Sequence, residues 1–554
     1  MDLLDRPAPT APADLTLRRG AARVLLDNWT GASTVPSRTL YPHQWSWDSA
    51  FVAIGLRHLS VRRAQRELES LLAAQWADGR VPHIVFNPDL PHGAYFPSPD
   101  FWQSSTAGRA AGAPPSTETS GIVQPPVHAL AAWLVHLADP AESRRRGFLA
   151  RVRPRLAAWH DYLLDRRDLG GGGLAAVVHP WEPGMDNSPC WDRALRRVEP
   201  SPSGTFRRAD LDHGHPADRP TDLDYGRYVR LATEYRDAGY DDRLGRHRFA
   251  VEDPAFNALL IVSELALAAM SRELGLPARR HTERAAGLTR ALVRRLWDPE
   301  AGLFRVRDLH TGTLVDEGSV SGLIPLVVPG LPRDVVRRLH ATLTGPRFSA
   351  PATALVPSYD LTGHAFHPTR YWRGPAWFNT AWLIERGLRT HGLGPDAARL
   401  RSGFLAEAGR SGFAEYVDPS TGAACGTRHF SWTAALTLDL MTADPDGDDL
   451  TGDDGAARDL AGDDRVARDL SGHHRSVPDA PGDDRSSHGL TGADLTGDDR
   501  SAHDPSGHHR ADHDRADHDR ADGDRRDHGR TDRRTGHAPP GRRPTHHDTT
   551  EPLP

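Results

Sequence analysis

The chain of 554 residues contains no lysine and only two cysteines, Cys190 and Cys425. Two cysteines cannot form a disulfide framework, so we expect a protein of a reducing compartment. All 68 basic residues are arginines. Because alanine, glycine and proline are also abundant, the missing lysine indicates codon bias and carries no functional information.

An excess of charge of either sign is also missing. The 68 basic residues face 74 acidic ones, giving a net charge of −6, which is not typical of a nucleic-acid-binding protein. No window approaches the ~20 apolar residues of a membrane span. Residues 1–20 lack the apolar stretch of a secretory signal. The sequence therefore predicts a cytoplasmic protein with neither nucleic-acid nor membrane partners.

Aromatic residues are absent after Trp432, and this absence divides the chain. The segment 443–554 consists mainly of Asp, Gly, His, Arg, Ser and Thr, and it cannot bury enough apolar surface to offset its ordering entropy. Its His and Asp residues could chelate a metal, but a solvated low-complexity tail is the favoured interpretation. We predict a disordered tail over 443–554, a flexible N-terminus over 1–20 and a folded domain over 21–442.

Several catalytic signatures are missing too. The chain has no Walker loop, no GxGxxG, no HExxH and no CxxC pair. No G-x-S-x-G elbow accompanies a strand–turn–helix pattern. We therefore predict no cofactor, and no metal site in the folded domain.

Apolar residues recur at helical spacing through most of the folded domain, whereas alternating strand patterns are scarce. The best strand candidates are Leu174–Val178 and Gly302–Val306. Amphipathic helices joined by long loops are typical of packed helical hairpins, not of βαβ units. The predicted helices are Asp48–Leu59, Val61–Gln75, Pro126–Leu137, Gly147–Leu164, Pro254–Leu274, His281–Leu296, Pro332–Leu343, Ala376–Gly387, Asp396–Ala408 and Ser431–Met441.

The loops between these helices hold most of the tryptophans together with His, Asp and Glu. Functional residues concentrate on long loops that a rigid scaffold supports. Indole faces stack on pyranose rings while carboxylates accept hydrogen bonds from sugar hydroxyls. Converging loops of this composition predict a sugar-binding funnel. An isolated histidine between apolar residues, such as His83, more often has a structural role.

Two of these loops lie in the first half of the chain. Residues 41–48 read YPHQWSWD, in which Asp48 is either a sugar ligand or the N-cap of the following helix. Residues 179–189 read HPWEPGMDNSP and carry Glu182 and Asp186. Proline and glycine exclude a helix here, and the alternative to a catalytic role for Asp186 is a structural one in an Asx-turn.

Two further loops lie near the end of the folded domain. Residues 371–379 read YWRGPAWFN, and residues 412–422 read GFAEYVDPSTG. Asp418 belongs to an ordinary turn sequence, whereas Glu415 has aromatic neighbours and no turn role. Glycoside hydrolysis needs two carboxyl groups on opposite sides of the scissile bond, and distant loops are where such a pair would originate.

These loops, with four other segments in the same order, resemble glycoside hydrolase family 63, most of all its bacterial branch of mannosylglycerate and glucosylglycerate hydrolases. The resemblance runs from about Asn28 to Met441. It implies one all-α domain, an (α/α)6 barrel of six helical hairpins, where chain length alone would suggest about three domains. The segments are YPHQWSWDSAF, GRVPHIVF, SGIVQPPVHA, HPWEPGMDNSP, FNALL, YWRGPAWFN, GFAEYVDPSTG and FSWTAAL.

The resemblance also implies a mechanism, which is inverting hydrolysis of an α-linked glucose or mannose. By motif, Asp186 takes the general-acid position and Glu415 the general-base position. The two carboxyl groups should then lie ~6.5–9.5 Å apart to leave room for a water molecule. A general acid must be protonated near neutral pH, and burial against Trp181 would raise the pKa of Asp186.

Substrate-binding residues are carried over by motif as well. An arginine fork suits both oxygens of a carboxylate, although Arg219 could equally be one of many surface arginines. Arg428 and His429 stand where the glycerate-cleaving branch is expected to carry a glutamine, which leaves α-glucosyl oligosaccharides open as substrates. The implied sugar ligands are Trp47, Asp48, Gln124, Trp181, Tyr371, Trp372 and Trp377, and the implied glycerate ligands are Tyr41, Trp45, Arg219 and Tyr225.

The leading hypothesis is therefore an inverting α-glycosidase that acts on a small carbohydrate such as glucosylglycerate. An oligosaccharide α-glucosidase of the same family is the first alternative. A sugar epimerase would require a His pair or a His–Glu pair, which the matching loops lack. A non-catalytic carbohydrate-binding protein is the alternative from another class.

Overall fold

The computed structural model describes residues 12–212 and 215–442. The tail predicted over 443–554 lies outside the described residues. A helix begins at Pro12, inside the stretch 1–20 that was predicted to be flexible, so that prediction is wrong from Pro12 onwards. The helix forms because Leu17, Ala21 and Leu25 pack onto the main core.

The described residues form sixteen α-helices, and each of the ten helices predicted from the sequence is among them. The helices are α1 Pro12–Asp27, α2 Ser46–Leu56, α3 Val61–Ala73, α4 Pro99–Trp102, α5 Ser104–Ala107, α6 His128–Ala138, α7 Pro140–Arg146, α8 Phe148–Arg166, α9 Asp192–Leu195, α10 Asp222–Asp237, α11 Pro254–Glu273, α12 Arg279–Leu296, α13 Arg333–Thr344, α14 Phe378–Thr390, α15 Gly394–Ser411 and α16 Ser431–Thr442.

Eleven two-residue strands pair antiparallel in small sheets, ordered β1-β2, β3-β4-β7-β8, β5-β6 and β9-β10-β11. Both predicted strand segments contain one. The strands are β1 Gln44–Trp45, β2 Ile84–Val85, β3 Ala176–Val177, β4 Val251–Glu252, β5 Trp297–Asp298, β6 Leu303–Phe304, β7 Arg307–Asp308, β8 Thr313–Leu314, β9 Ala376–Trp377, β10 Tyr416–Val417 and β11 Ala424–Cys425.

The helices fall into two burial classes. Every residue of α2 is buried, as are Pro254–Ser271 of α11, Phe378–Leu388 of α14 and Ser431–Leu440 of α16. Helices α3, α12 and α13 instead bury one stripe of apolar residues. A helix that is buried on all sides must lie inside the molecule, and an amphipathic helix covers it.

The buried helices are neighbours in a closed series. Helix α2 packs against α6, α6 against α11, and α11 against the 3₁₀ segment Ile324–Val327. That segment packs against α14, α14 against α16, and α16 against α2. Amphipathic neighbours accompany them, because α3 packs on α2, α12 on α11 and α15 on α14.

Helix α11 is long and apolar enough to cross a membrane, which corrects the expectation that no window reaches that length. Its apolar window is completely buried, and α6, α8 and α12 pack around it. The core helix of a folded domain passes the same test of length and composition, because it too avoids water on every side.

Helix α10, Asp222–Asp237, is not among the helices predicted from the sequence. Its apolar side is built from tyrosines, with Tyr225, Tyr228 and Tyr235 buried, so the usual aliphatic periodicity is weak. Thr221 caps it by accepting a hydrogen bond from the backbone N–H of Asp224. The helix carries Tyr225 and Tyr228 to the pocket region described next.

Candidate active site

One pocket brings together residues from all four aromatic loops. Its empty volume, counted together with the part open to solvent, is about 830 Å³, and its lining contains eleven of the thirteen residues predicted for the site, including both acids. The lining residues are Pro36, Leu40, Tyr41, Trp45, Trp47, Asp48, His83, Tyr95, Pro97, Gln124, Trp181, Gly184, Asp186, Asp210, Arg219, Pro220, Tyr225, Tyr371, Glu415, Phe430 and Trp432.

Asp186 lies in a loop that follows β3 and is held through its backbone. Tyr228 donates a hydrogen bond to the Asp186 carbonyl at 2.7 Å, and the Trp191 indole donates to the Met185 carbonyl at 2.6 Å. The amide of Ser188 bonds the Met185 carbonyl, so it does not form the Asx-turn that was the alternative for Asp186. The carboxyl is left free to face the pocket.

The Asp186 carboxyl is partly exposed to the pocket, and no side chain among the described residues donates a hydrogen bond to it. Burial by the pocket walls raises its pKa to about 7, and the charges of Glu415 and Asp210 act in the same direction. A hydrogen bond from the backbone amide of Asp186 itself opposes them, followed by the charge of Arg219. Half of such groups are protonated at neutral pH, which is what a general acid requires.

Glu415 immediately precedes β10 and is 1% exposed. Its Oε1 accepts hydrogen bonds from Tyr41 at 3.1 Å and from Tyr371 at 3.2 Å, and its Oε2 accepts one from the Thr427 amide at 3.3 Å. Burial raises the pKa of this carboxyl, while Arg219 and the three donors lower it. Donors of this kind stabilise the ionised form, which is the form of a general base.

Arg219 is 5% exposed, and its positive charge lowers the pKa of both Asp186 and Glu415. Its Nη1 donates to the Tyr41 hydroxyl at 3.3 Å, and its guanidinium lies 4.8 Å above the Tyr371 ring. Its Nη2 is buried without a hydrogen-bond partner. Arg219 lines the pocket with an unsatisfied buried donor, which suits an anionic ligand, so it is not a surface arginine.

The loop of β1 supplies the opposite wall. Trp45 ends β1, and α2 begins at Ser46 with Trp45 in the N-cap position, so the suggestion that Asp48 is the N-cap is wrong. Asp48 lies in the first turn of α2 and is 3% exposed, and burial followed by the Glu415 charge raises its pKa. Gln124 accepts a hydrogen bond from the Trp47 amide at 3.1 Å, which ties these two pocket residues together.

Aromatic faces complete the pocket. Trp181 contacts His179 with the rings tilted by 39° and their centroids 4.4 Å apart, and it lies nearly parallel to His83 at 6.4 Å. His83 lines the pocket and was expected to be structural; burial lowers its pKa to about 3, so its ring is neutral. Tyr225 donates to the Phe96 carbonyl at 3.3 Å and closes the side next to Arg219.

Two predicted sugar ligands, Trp372 and Trp377, do not line the pocket. Their indoles stack on each other with centroids 3.8 Å apart, and Trp377 also contacts Tyr371 at 5.0 Å and Tyr416 at 4.4 Å. They therefore support the wall that carries Tyr371 and Glu415. Sequence reasoning placed them at the right loop but could not separate the exposed ring from those behind it.

Two other residues follow or depart from expectation. Asp418 accepts hydrogen bonds from the Ser420 amide and the Thr421 hydroxyl, so its predicted turn role is confirmed. His429 is exposed and absent from the pocket lining, whereas its neighbour Phe430 lines the pocket. The departure at Arg428-His429 therefore does not itself reach the pocket.

Tyr95, Asp210, Phe430 and Trp432 are among the lining residues that sequence reasoning missed. Tyr95 and Asp210 lie in loops of ordinary composition, and only the tertiary fold brings them to the pocket. The signal for Trp432 was present in FSWTAAL, but its periodicity assigned it to a helix core. Within 12–212 and 215–442, no group of three His, Cys, Asp or Glu residues is arranged to hold a metal ion.

Comparison with known proteins covers this whole region. Residues 41–433 match the mannosylglycerate hydrolase MGH1-like glycoside hydrolase domain. The chain is 41% identical over 445 residues to the mannosylglycerate hydrolase of Rubrobacter radiotolerans, covering 79% of this chain and 99% of that protein. It is 39% identical over 446 residues to the glucosylglycerate hydrolase of Mycolicibacterium hassiacum, covering 78% of this chain and 98% of that protein.

A solved structure is similar as well. The family 63 mannosylglycerate hydrolase from Thermus thermophilus, in complex with Tris and D-glycerate, gives a TM-score of 0.71 at 39% sequence identity. The match covers 77% of this chain and 100% of that chain. The helices and small sheets described above are therefore the arrangement of that hydrolase.

Proposed function

Because the chain belongs to the MGH1-like glycoside hydrolases of family 63 and is a glycosidase, we propose that it hydrolyses a small α-linked glycerate glycoside. The released sugar is glucose or mannose. The proposal names glucosylglycerate and mannosylglycerate because the two kinds of relatives carry those names. The presence of both Asp186 and Glu415 in the lining of one aromatic pocket is the observation that carries it.

The proposed mechanism is inverting. Asp186 protonates the glycosidic oxygen, and Glu415 deprotonates a water molecule that attacks the anomeric carbon from the other face of the ring. The different surroundings of the two carboxyls support these roles. Asp186 lacks side-chain donors and has a pKa of about 7, whereas three donors favour the ionised form of Glu415.

The proposed sugar subsite lies between the wall of Trp47, Asp48 and Gln124 and the indole of Trp181. Their positions in the pocket support direct contact with the sugar ring and its hydroxyls. Tyr371 contributes through the wall of Glu415. Trp372 and Trp377, in this proposal, act by supporting that wall.

The proposed glycerate subsite lies at Arg219, Tyr41, Tyr225 and Trp45. The unpartnered Nη2 of Arg219 supports a carboxylate there, because a buried donor left unpaired is costly. A neutral disaccharide would leave that nitrogen without a charged partner. This observation favours a glycerate glycoside over the oligosaccharide α-glucosidase alternative.

The proposal includes the (α/α)6 barrel as the scaffold over 21–442. The closed series of buried helices and their amphipathic neighbours support it. Cytoplasmic localisation is also proposed, supported by Cys190 and Cys425, which are buried free thiols.

The test is proton NMR of the purified protein with α-glucosylglycerate, α-mannosylglycerate and a panel of α-linked glucose disaccharides. Early release of the β-sugar from a glycerate glycoside is expected. First release of the α-anomer would overturn the inverting mechanism, and turnover of disaccharides alone would move the protein to the oligosaccharide α-glucosidases. Absence of turnover on every substrate, with sugar binding retained, would support the non-catalytic alternative.

The Asp418→Asn variant is a matched control for Glu415→Gln. The two carboxylates are three residues apart in one loop, but Asp418 is occupied by its turn. Loss of turnover in Glu415→Gln with turnover retained in Asp418→Asn assigns the effect to the pocket carboxylate. Equal loss in both variants would indicate disruption of the loop instead.

A further inference from the structure

A buried carboxylate that the proposed mechanism does not use lies four residues before Asp186. Glu182 is 0% exposed and forms two parallel hydrogen bonds with Arg167, both at 2.9 Å. Arg167 is also 0% exposed. Burying such a pair carries a large desolvation penalty, and it stabilises a protein less than well-packed apolar residues would. The presence of the pair therefore calls for another explanation.

Glu182 also accepts hydrogen bonds from two backbone amides in different segments. The amide of Val178 donates to Oε2 at 2.6 Å, and the amide of Val123 donates to Oε1 at 3.3 Å. Val178 begins the loop that carries Trp181 and Asp186, and Val123 directly precedes Gln124. One carboxylate thus fastens together the two segments that supply one side of the pocket.

Arg167 is itself fixed by a second layer of buried groups. Asp242 accepts a hydrogen bond from its Nε at 2.8 Å, and Tyr235 donates to the same Asp242 oxygen at 2.5 Å. Arg80 donates to the Tyr235 hydroxyl and to the Gly121 carbonyl, each at 2.8 Å. Arg80 and Glu182 therefore both bond the segment that precedes Gln124, Arg80 at Gly121 and Glu182 at Val123.

We propose that the Arg167–Glu182 pair is a positioning device that holds the general-acid loop and the Gln124 segment in register across the pocket. Neither residue lines the pocket, so they act through Asp186 and Gln124 and not on the substrate. The inference rests on the proposed function, since it assigns the pair a role in that reaction. A displacement of about 1 Å at a catalytic group is enough to lower kcat by ~100-fold.

The test compares Glu182→Gln with Asp439→Asn, a matched variant at a different buried carboxylate. Asp439 is an equally buried carboxylate with four donors, namely two nitrogens of Arg57, His58 and the Trp382 indole, and it lies two turns beyond the pocket on α16. Both variants are expected to lower Tm. Only Glu182→Gln is expected to lower kcat, by ~100-fold, with a smaller change in KM.

The pH profile separates positioning from stability. In the Glu182→Gln variant we expect the loop of Asp186 to shift and its carboxyl to reach water. The pKa of Asp186 then falls, and the alkaline limb of the kcat profile moves to lower pH. Asp439→Asn should keep the wild-type limb. A Glu182→Gln enzyme with a lower Tm but wild-type kcat and pH limb would overturn the proposal.

The double variant Glu182→Gln/Arg167→Met covers the case in which the single variant does not fold. The double variant removes the Arg167 charge that Glu182→Gln leaves unpaired, and Asp242 keeps Tyr235 and Arg80 as partners, so Tm should recover relative to Glu182→Gln. Recovery of Tm with kcat still low supports a positioning role, and recovery of both overturns it. If the wild-type enzyme releases no sugar, the proposed function is wrong. If the wild-type enzyme is active but the variants keep its kcat, only the proposed positioning role is wrong.

Discussion

The two loops that bring carboxyl groups to the pocket hold them in opposite ways. The loop of Asp186 is fastened through its backbone by Tyr228 and Trp191, and its carboxyl receives no side-chain donor among the described residues. The loop of Glu415 instead fastens the carboxylate itself, through Tyr41 and Tyr371. Two chemically similar side chains are thereby given different proton affinities by their surroundings.

The difference shows that the role of a carboxyl is set by its donors more than by its burial. Burial raises the pKa of both groups. At Glu415 two tyrosine hydroxyls and the Thr427 amide donate to the charged form and oppose that rise, whereas at Asp186 only its own backbone amide does so. The proposed acid and base roles rest on this contrast, and the predictions below are ordered by how strongly each would break it.

The largest effect should come from removing each carboxyl in turn. Glu415→Gln should lower kcat on α-glucosylglycerate and on α-glucosyl fluoride by ~10²–10⁴-fold, because both substrates need the activated water. Asp186→Asn should lower kcat on the glycerate glycoside to a similar extent. It should largely spare the fluoride, since a fluoride leaving group does not depend on protonation by the enzyme. Steady-state rates with both substrates measure these losses. If Asp186→Asn lowered kcat on the fluoride as much as Glu415→Gln does, the assignment of the acid to Asp186 and of the base to Glu415 would be contradicted.

A smaller effect is expected from taking one donor away from the base. Tyr371→Phe keeps the ring beneath Arg219 but removes the hydroxyl that donates to Glu415. The pKa of Glu415 should then rise, and the acid limb of the kcat profile should move to higher pH, with kcat at its optimum lowered by about 10-fold or less. An acid limb at the wild-type pH would show that this hydrogen bond does not stabilise the ionised form.

The acid can be perturbed separately at Asp210, a lining residue whose carboxylate is paired with Arg208 at 2.7 and 2.9 Å. The charge of Asp210 raises the pKa of Asp186. Asp210→Asn should therefore lower that pKa, and the alkaline limb of kcat should move to lower pH by about half a unit, in line with a minor electrostatic contribution. A shift of the acid limb instead would contradict the assignment of the acid to Asp186.

The smallest effect concerns stability. The pKa of Asp186 is about 7 in the folded protein and near its ordinary value in the unfolded chain. The folded state then binds more protons between about pH 4 and pH 7, so this group lowers the free energy of unfolding as the pH rises through that window. Asp186→Asn should be more stable than the wild type at pH 8, and the difference should vanish near pH 4.

Urea unfolding of the two proteins at both pH values measures this difference. Glu415→Gln serves as the comparison, because the donors around Glu415 reduce the rise in its pKa. Asp186→Asn should gain more stability at pH 8 than Glu415→Gln does. A larger gain for Glu415→Gln would mean that the two surroundings differ less than their hydrogen bonds indicate.

Much of the helical architecture could be predicted from periodicity. The window that became α11 is apolar over most of its length, and such a segment folds into a buried helix in almost any arrangement. Helix α10 was not predicted because its buried side is built mainly from tyrosines. Helix α1 escaped because its few apolar residues are meaningful only where the core meets them.

The site was predictable to the extent that its residues lie in unusual loops. Trp181, Asp186 and Glu415 stand among tryptophan, proline and glycine, and the resemblance to a known family gave them roles. Tyr95 and Asp210 carry no such local signal, because their loops differ from ordinary connectors only in where the fold places them. The same limitation applies to Trp372 and Trp377, which share a motif with Tyr371 but lie behind it.

The sequence by itself determined ten of the helices, the aromatic loops and the two carboxyls proposed for the reaction, because each depends on residues close together in the chain. Only the tertiary structure decided which groups surround each acid. The donors to Glu415 come from Tyr41, Tyr371 and the Thr427 amide, and the Glu182 carboxylate reaches Arg167 and Val123. A pKa and a position depend on such distant neighbours, and their proximity exists only in the folded chain.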